Sequence, residues 1–375
     1  MAVERYDDAL ASHRRALALQ PNHADTHYNL GAACQVRGDW DAAISHYEDT
    51  IRLKPEYAEA HYSRGLIQLS QGKFKEGWSG YEWRMRCKRF VPRRFNQTRW
   101  DGSPLAGRKL FVHAEQGLGD TIQFVRYVKL LSDRGENVVA EVPKTLLPLL
   151  EQSGFANLIG RNETPASFDL QIPLMSLPQA FGTTLENVPA DVPYITASPD
   201  LVAHWKKRLE ASPGFRIGIN WQGNPSYTFD RYRSFPLVQL EPIAKLAGVR
   251  LFTLQKQYGL EQLAALDSRF EVIDLTAELD VQTAPFMDTA AVIKNLDLVI
   301  TSDSAVAHLA GAMGVPVWMA TSYAAEWRWL TEREDSPWYP TMRLFRQPAL
   351  RDWPSVFSYM AAELQAVLTG LSDAG

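Results

Sequence analysis

The sequence predicts an α + α/β chain: helical repeats at the N-terminus, then two α/β units built on parallel sheets. Three observations point there. Residues recur at a fixed step of 34 through the first ninety positions. From about residue 108 on, apolar runs of strand length alternate with segments of helical period, the order that builds a parallel sheet. Twice, at 109–131 and at 296–313, a buried-strand run ends in a loop that opens a helix, with glycines and an aspartate in the first and serines and an aspartate in the second.

Bulk properties bound the reading. The chain has 375 residues, room for two or three domains, and is 46% hydrophobic and 22% charged, as ordinary globular proteins are. A formal net charge of −4 gives no electrostatic case for nucleic acid. Two cysteines, Cys34 and Cys87, argue against a disulfide scaffold and for a reduced compartment. No apolar run has membrane-spanning length, and Met1–Asp8 has no signal-peptide core, so a cytoplasmic location without a transmembrane segment is expected. Neither Cys/His metal spacing nor a Gly-x-Ser-x-Gly elbow occurs, so no metal, no cofactor and no serine hydrolase chemistry is expected.

The 34-residue step links Pro21 with Pro55, Gly31 with Gly65, and Gly38 with Gly72. It also links Tyr6, Trp40 and Phe74; Ala9, Ala43 and Gly77; and His13, Tyr47 and Tyr81. Small residues let paired helices approach, aromatics fill the space between them, and proline ends the second helix. The period and these columns resemble the tetratricopeptide repeat. The first unit (Tyr6, Ala9, His13, Ala16, Pro21) holds only second-helix positions, so a partner, a self-association contact or further sequence is expected to cover it. Such repeats serve as partner-binding surfaces or as a buttress for the rest of the chain, and both stay open here. We place the repeats at 1–88.

A basic connector follows at 89–107. Between Arg84 and Lys109 stand nine Lys/Arg and one acid, Asp101, punctuated by Pro92, Gly102, Pro104 and Gly107. Its loop chemistry suits either an anion-attracting rim or a solvated linker.

The first α/β unit, 108–196, opens with a strand ending at Val112, then His113-Ala114-Glu115-Gln116-Gly117-Leu118-Gly119-Asp120. A helix follows, with Ile122, Val125, Val128 and Leu131 on one face. Gly117 and Gly119 permit close backbone approach of a ligand, and Asp120 can either cap the helix or do chemistry. Strands are expected at 137–142, 157–160 and 168–172, and helices at 144–152 and 175–181. The second unit, 197–375, is expected to carry a helix at 199–209 and strands at 215–221, 249–254, 272–274, 296–300 and 315–319. Ser302, Asp303 and Ser304 stand where a strand end meets a helix start. Free N–H groups and the helix dipole there can hold a phosphate, and a carboxylate can take a sugar hydroxyl. His308, one turn further on, suits the same site or the core.

Four segments together are similar to glycosyltransferase family 9, whose best-known members are bacterial heptosyltransferases of GT-B fold, in the form that joins tetratricopeptide repeats to such a domain. They are His113–Phe124, Trp221-Gln222-Gly223-Asn224, Asp303–Gly311 and Asp335–Pro340. The resemblance implies two Rossmann-like domains, an N-terminal one for the acceptor and a C-terminal one for a nucleotide-sugar donor, with the C-terminal helix packing back across the first. It implies metal-independent, inverting transfer of a hexosyl or heptosyl group from a nucleotide-diphosphate sugar to a hydroxyl of a glycan, lipid-linked or protein acceptor. Asp120 matches the general base, with Glu115, Gln116, Gly117 and Gly119 forming the acceptor-side loop. Arg233 matches the residue on the donor diphosphate; Ser302, Asp303, Ser304, Ala305 and His308 match the donor loop; and Lys256 is a looser donor-side candidate. Ala305 replaces a usual glycine, so the donor pocket is open as to the sugar. Trp327, Trp329, Trp338 and Tyr339 either stack on a ligand or pack the C-terminal region. The alternatives in function are a non-catalytic scaffold, in which the repeats bind a protein and the α/β part is degenerate, and a protein O-linked N-acetylglucosamine transferase, whose signature catalytic residues are not evident here.

Overall fold

The structure, a computed structural model, describes residues 2–91, 93–324 and 326–373, with the side chains of 2–7, 9 and 371–373 outside the description. The repeat-column side chains Tyr6 and Ala9, and Pro92 of the connector, therefore lie outside the described residues. Two compact units form. One comprises Met1–Asn96 with Pro178–Val188 and Tyr323–Arg333; the other comprises Gln97–Leu177, Pro189–Ser322 and Glu334–Gly375.

The first unit is a run of helices, α1 (Ala2–Leu19), α2 (Ala24–Arg37), α3 (Trp40–Leu53), α4 (Ala58–Ser70) and α5 (Phe74–Tyr81). The repeated positions now have physical reasons. Gly38 and Gly72 sit at φ +79° and +76°, the left-handed turn that closes α2 and follows α4. The carbonyls of Pro21 and Pro55 accept from Nε2 of His27 at 2.9 Å and of His61 at 2.7 Å. A Cβ on Gly31 would lie 2.7 Å from the Tyr47 ring. Gly65 and Gly80 meet back to back, a Cβ on either coming within 2.7 or 2.6 Å of the other's backbone. Leu30, Cys34, Ala43, Tyr47, Ala60 and Ile67 fill the resulting core. Trp78 finishes the last helix by donating Nε1–H to the Thr183 carbonyl at 2.8 Å and meeting Trp327 edge-on at 5.2 Å. Cys34 and Cys87 are both free thiols, and burial raises them, Cys87 to about 11.

The second unit holds two five-stranded sheets. The first has β1 (Thr98–Arg99), β2 (Leu110–His113), β3 (Val138–Val142), β4 (Leu158–Gly160) and β5 (Leu170–Pro173), in the order β1-β5-β2-β3-β4. The second has β6 (Phe215–Asn220), β7 (Val249–Thr253), β8 (Leu298–Ser302), β9 (Val317–Thr321) and β10 (Met342–Arg346), in the order β10-β9-β8-β6-β7. Every pairing is parallel. β2 and β8 are buried along their whole length, as central parallel strands are. Helical repeats ahead of two parallel Rossmann-like sheets are the GT-B plan the resemblance implies. Among the described residues no helix is long and apolar enough to cross a membrane.

Details depart from expectation. Val272–Asp274 is not a strand: only Ile273 bridges to Phe252, because the Asp274 carboxylate takes the Thr276 N–H at 2.9 Å and turns the chain away. β1 lies inside the expected connector and pairs with β5. The C-terminal helix, Trp353–Asp373, does not pack back across the first sheet. Its stripe Trp353, Val356, Phe357, Met360 and Leu364 enters the core of the second sheet with Ile217, Leu251 and Phe235. The segment that reaches the first half is Trp338-Tyr339, with Trp338 meeting Phe124 edge-on at 5.7 Å.

Gly65→Ala is expected to destabilise the helical unit by about 1–3 kcal/mol through overpacking against Gly80. Gly370→Ala, where a Cβ meets nothing within 4 Å, is expected to be neutral or slightly stabilising. Urea denaturation followed by helical circular dichroism distinguishes the two.

Candidate active site

The first loop begins where β2 ends. Gln116 adopts φ +59°, and its carbonyl accepts from Arg161 Nη1 at 3.2 Å. Helix α6 (Leu118–Asp133) starts after Gly117, and Asp120 is its third residue. Asp120 Oδ2 accepts the Gly117 N–H at 2.8 Å, so the carboxylate does close the helix start. It is half-buried, whereas Glu115 is buried and Gln116 exposed. Gly119 is required by contact: a Cβ there would lie 2.7 Å from His308 Cδ2 and 3.6 Å from the Cα of Ala305. The glycine loop thus lies directly against the first turns of the helix Ala305–Ala312.

That helix opens at the end of β8. Ser304 occupies the N-cap position without capping, because its hydroxyl donates to Asn220 Oδ1 at 2.8 Å. Asn220 Nδ2 donates to Gln255 Oε1 at 2.8 Å, and the same oxygen accepts the N–H groups of Trp221 and Gln222 at 3.1 and 3.0 Å. Thr301 Oγ1 also reaches Asn220 Oδ1, at 3.3 Å. This buried network ties together the C-terminal ends of β6, β7 and β8, the edge at which open α/β sheets take ligands. Asp303 and Ala305 are half-buried beside it. His308 is buried, with Nδ1 2.9 Å from the Tyr339 hydroxyl. Ser302 is fully buried, and its hydroxyl has no hydrogen-bond partner.

Two cations flank the network. Arg233 ends the short helix Asp230–Arg233 that follows β6, with Nε 3.1 Å from Asp230 Oδ1 and its guanidinium over the Tyr227 ring. Asp230 Oδ2 accepts from Ser234 Oγ, which in turn accepts the Gly223 N–H, so the Trp-Gln-Gly-Asn loop is braced around Arg233. A Cβ on Gly223 would lie 2.7 Å from Arg233 Nη2, which explains that glycine. Lys256 is engaged differently: its ammonium donates to the Leu279 carbonyl and lies 3.7 Å from Asp280 Oδ2. Asp280 in turn caps the helix Met287–Lys294 through the N–H groups of Asp288 and Thr289. Trp327, Trp329, Trp338 and Tyr339 are all buried and offer no exposed face for stacking. A groove lined by Phe215, Gly248, Leu298 and Leu364 opens at the opposite, N-terminal edge of the second sheet.

Sequence reasoning missed Arg126. It is 3% exposed in the middle of α6. Nη1 donates to the carbonyls of Pro189 at 2.7 Å and Trp338 at 2.8 Å, Nη2 to the Tyr194 hydroxyl at 2.8 Å, and Nε to the Gln123 carbonyl at 2.8 Å. The rings of Tyr194, Trp338 and Tyr339 lie against the guanidinium. The signal was available: Arg126 stands four residues after Ile122, on the apolar stripe.

Comparison with known proteins finds two family models and several relatives. The tetratricopeptide-repeat model matches residues 2–35 and 37–72, and the glycosyltransferase family 9 (heptosyltransferase) model matches 239–321, a range that includes Lys256 and the 302–308 loop. Protein FlbA of Caulobacter vibrioides is 30% identical over 296 residues, 71% of this chain and 48% of FlbA, so the chain spans about half the length of that curated relative. Among solved structures, the ADP-heptose LPS heptosyltransferase II of E. coli aligns over 70% of this chain and 99% of its own, at 13% identity and TM-score 0.49. A family 9 glycosyl transferase from Veillonella parvula aligns over 72% of this chain and 99% of its own, at 12% identity and TM-score 0.49. The chain carries tetratricopeptide repeats and a glycosyltransferase family 9 domain.

Arg126→Met is expected to cost about 3 kcal/mol or more, because it strands several buried acceptors. Arg126→Lys is expected to recover only part of that, since one ammonium lacks the guanidinium fork. Chemical denaturation of both variants measures the difference.

Proposed function

We propose that the chain transfers a sugar from a nucleotide-diphosphate sugar to a hydroxyl acceptor, with inversion at the anomeric carbon. The observation that supports this reading is the approach of the two loops. Gly119, next to Asp120, abuts His308 and Ala305, so a carboxylate from one sheet and a helix N-terminus from the other border one place. In the proposed step Asp120 accepts the proton of the acceptor hydroxyl while the hydroxyl oxygen bonds to the anomeric carbon. The bond from that carbon to the diphosphate oxygen breaks on the opposite face, and the electron pair leaves with the nucleoside diphosphate. Charge on the departing diphosphate is met by the opening N–H groups of the helix Ala305–Ala312 and by Arg233. In this reading Asp303 takes a hydroxyl of the donor. Lys256 contributes by holding the 279–280 turn. The N–H bond from Gly117 holds the Asp120 carboxylate in one orientation.

A specific observation favours a second reading. Because Asp120 already closes the α6 start, it has a structural task that a non-catalytic scaffold would also keep. In that reading the repeats bind a protein and the sheets bind no donor.

A panel of nucleotides and nucleotide-diphosphate sugars, followed by thermal shift and calorimetry, separates the two. The transferase reading expects one selective ligand whose binding weakens about tenfold or more in Arg233→Ala. Silence across the panel in folded protein supports the scaffold. With the donor identified, Asp120→Asn is expected to lower kcat by about a hundredfold or more while costing about 1 kcal/mol or less of stability. Full turnover by Asp120→Asn would sink the assignment of the base.

A further inference from the structure

We propose that His27, His46 and Asp49, on α2 and α3 of the repeats, form a binding site for a divalent cation of the zinc class. His27 Nδ1 lies 3.4 Å from His46 Nδ1 and 3.5 Å from Asp49 Oδ2, and the three ligand atoms lie within 4.8 Å of one another. A tetrahedral zinc with bonds of roughly 2.0–2.1 Å holds neighbouring ligand atoms about 3.3 Å apart. The two shorter separations already have that span.

The ring chemistry is set for ligation. A carbonyl only accepts, so the 2.9 Å contact of His27 Nε2 with the Pro21 carbonyl places the proton on Nε2. Nδ1, the other ring nitrogen, faces His46 and Asp49, and the Nε2 contact is the kind of outer hydrogen bond that orients a metal-binding histidine. The His46 and Asp49 side chains are one turn apart on α3 and share a face. Asp49 is oriented by Arg52, whose Nη2 donates to Oδ1 at 2.7 Å. The Asp49 side chain remains 33% exposed, so water can complete the coordination shell.

The repeat itself supplies a comparison. Thirty-four residues on, His61 makes the same bond to the Pro55 carbonyl, at 2.7 Å. The positions that match His46 and Asp49 there are Gly80 and Trp83, and His61 stacks on Trp83 at 3.8 Å and 6°. The proline–histidine bond is therefore a device of the repeat, whereas the facing imidazole and carboxylate belong to the α2–α3 pair alone of these two. Linear spacing hid the set, because His27 and His46 are 19 residues apart on different helices. Imidazole and carboxylate donors suit zinc, nickel and copper.

The test is titration calorimetry of the full, untagged chain, freed of metal by a chelator, with zinc chloride alone. Melting temperatures without and with zinc report folding. The proposal expects one zinc per chain, a raised melting temperature, and affinity lowered by about a hundredfold in His46→Ala and by about tenfold or more in Asp49→Asn. His61→Ala is the control and is expected to keep the wild-type affinity. Cobalt in place of zinc is expected to give the visible absorption of a tetrahedral site, lost in Asp49→Asn. No stoichiometric zinc binding in folded protein overturns the proposal. So does unchanged affinity in folded Asp49→Asn.

Discussion

A guanidinium buried without a carboxylate partner among the described residues governs the second unit. Arg126 cannot shed its charge, so its donors must find oxygen, and they find it in chain segments far from α6 in sequence. The Pro189 carbonyl stands where the chain leaves the first half; the Trp338 carbonyl stands on the return from the second. Tyr194 takes one donor and donates its own O–H to the Ile122 carbonyl at 3.0 Å. One cation thereby fixes α6 to both crossings. Tyr339, beside Trp338, then sets the His308 ring that faces Gly119. The approach of the two loops follows from satisfying that one charge.

The polar groups around the loops divide into those that build and those that face the open edge. Asn220, Gln255, Thr301 and Ser304 spend their hydrogen bonds on one another and on backbone, so β6, β7 and β8 end in a rigid shelf. Ser304 is withdrawn from capping in the process, so its side chain makes no bond to the helix start. Glycines stand where the shelf is narrowest. Gly119 admits His308, and Gly223 admits Arg233.

Much of the fold was legible because parallel sheets and helix pairs leave periodic traces. β2 and β8 open on continuous apolar runs, Leu110–Val112 and Leu298–Ile300, and the repeat columns mark close helix contacts. β1 was not legible: two residues in a basic, proline-rich stretch carry no period. The false strand at 272–274 is apolar enough, but a side-chain carboxylate turns the chain there, and residue type alone does not reveal that. At the candidate site the loops were legible as strand–loop–helix junctions, and Asp120, Asp303 and Ser304 stand on them. What spacing could not reveal was partnership across the fold. Lys256 reads as a free cation until Leu279 and Asp280 are beside it. Ser302 reads as part of the loop until its burial is known. Arg126 reads as an exposed helix residue unless its place on the apolar stripe is noticed.

The helical unit is assembled from three separate stretches of chain. Trp78, in its last helix, is completed by Thr183 and Trp327, which are encoded long after the repeats end. A gene cut near residue 96 would therefore not release a finished domain. It would release helices with an indole N–H and an aromatic face stripped of their cover. The repeats are not a cassette that recombination can lift out and graft elsewhere; any exchange of this region has to carry two later loops with it. Inheritance as a single block is written into where those two loops lie.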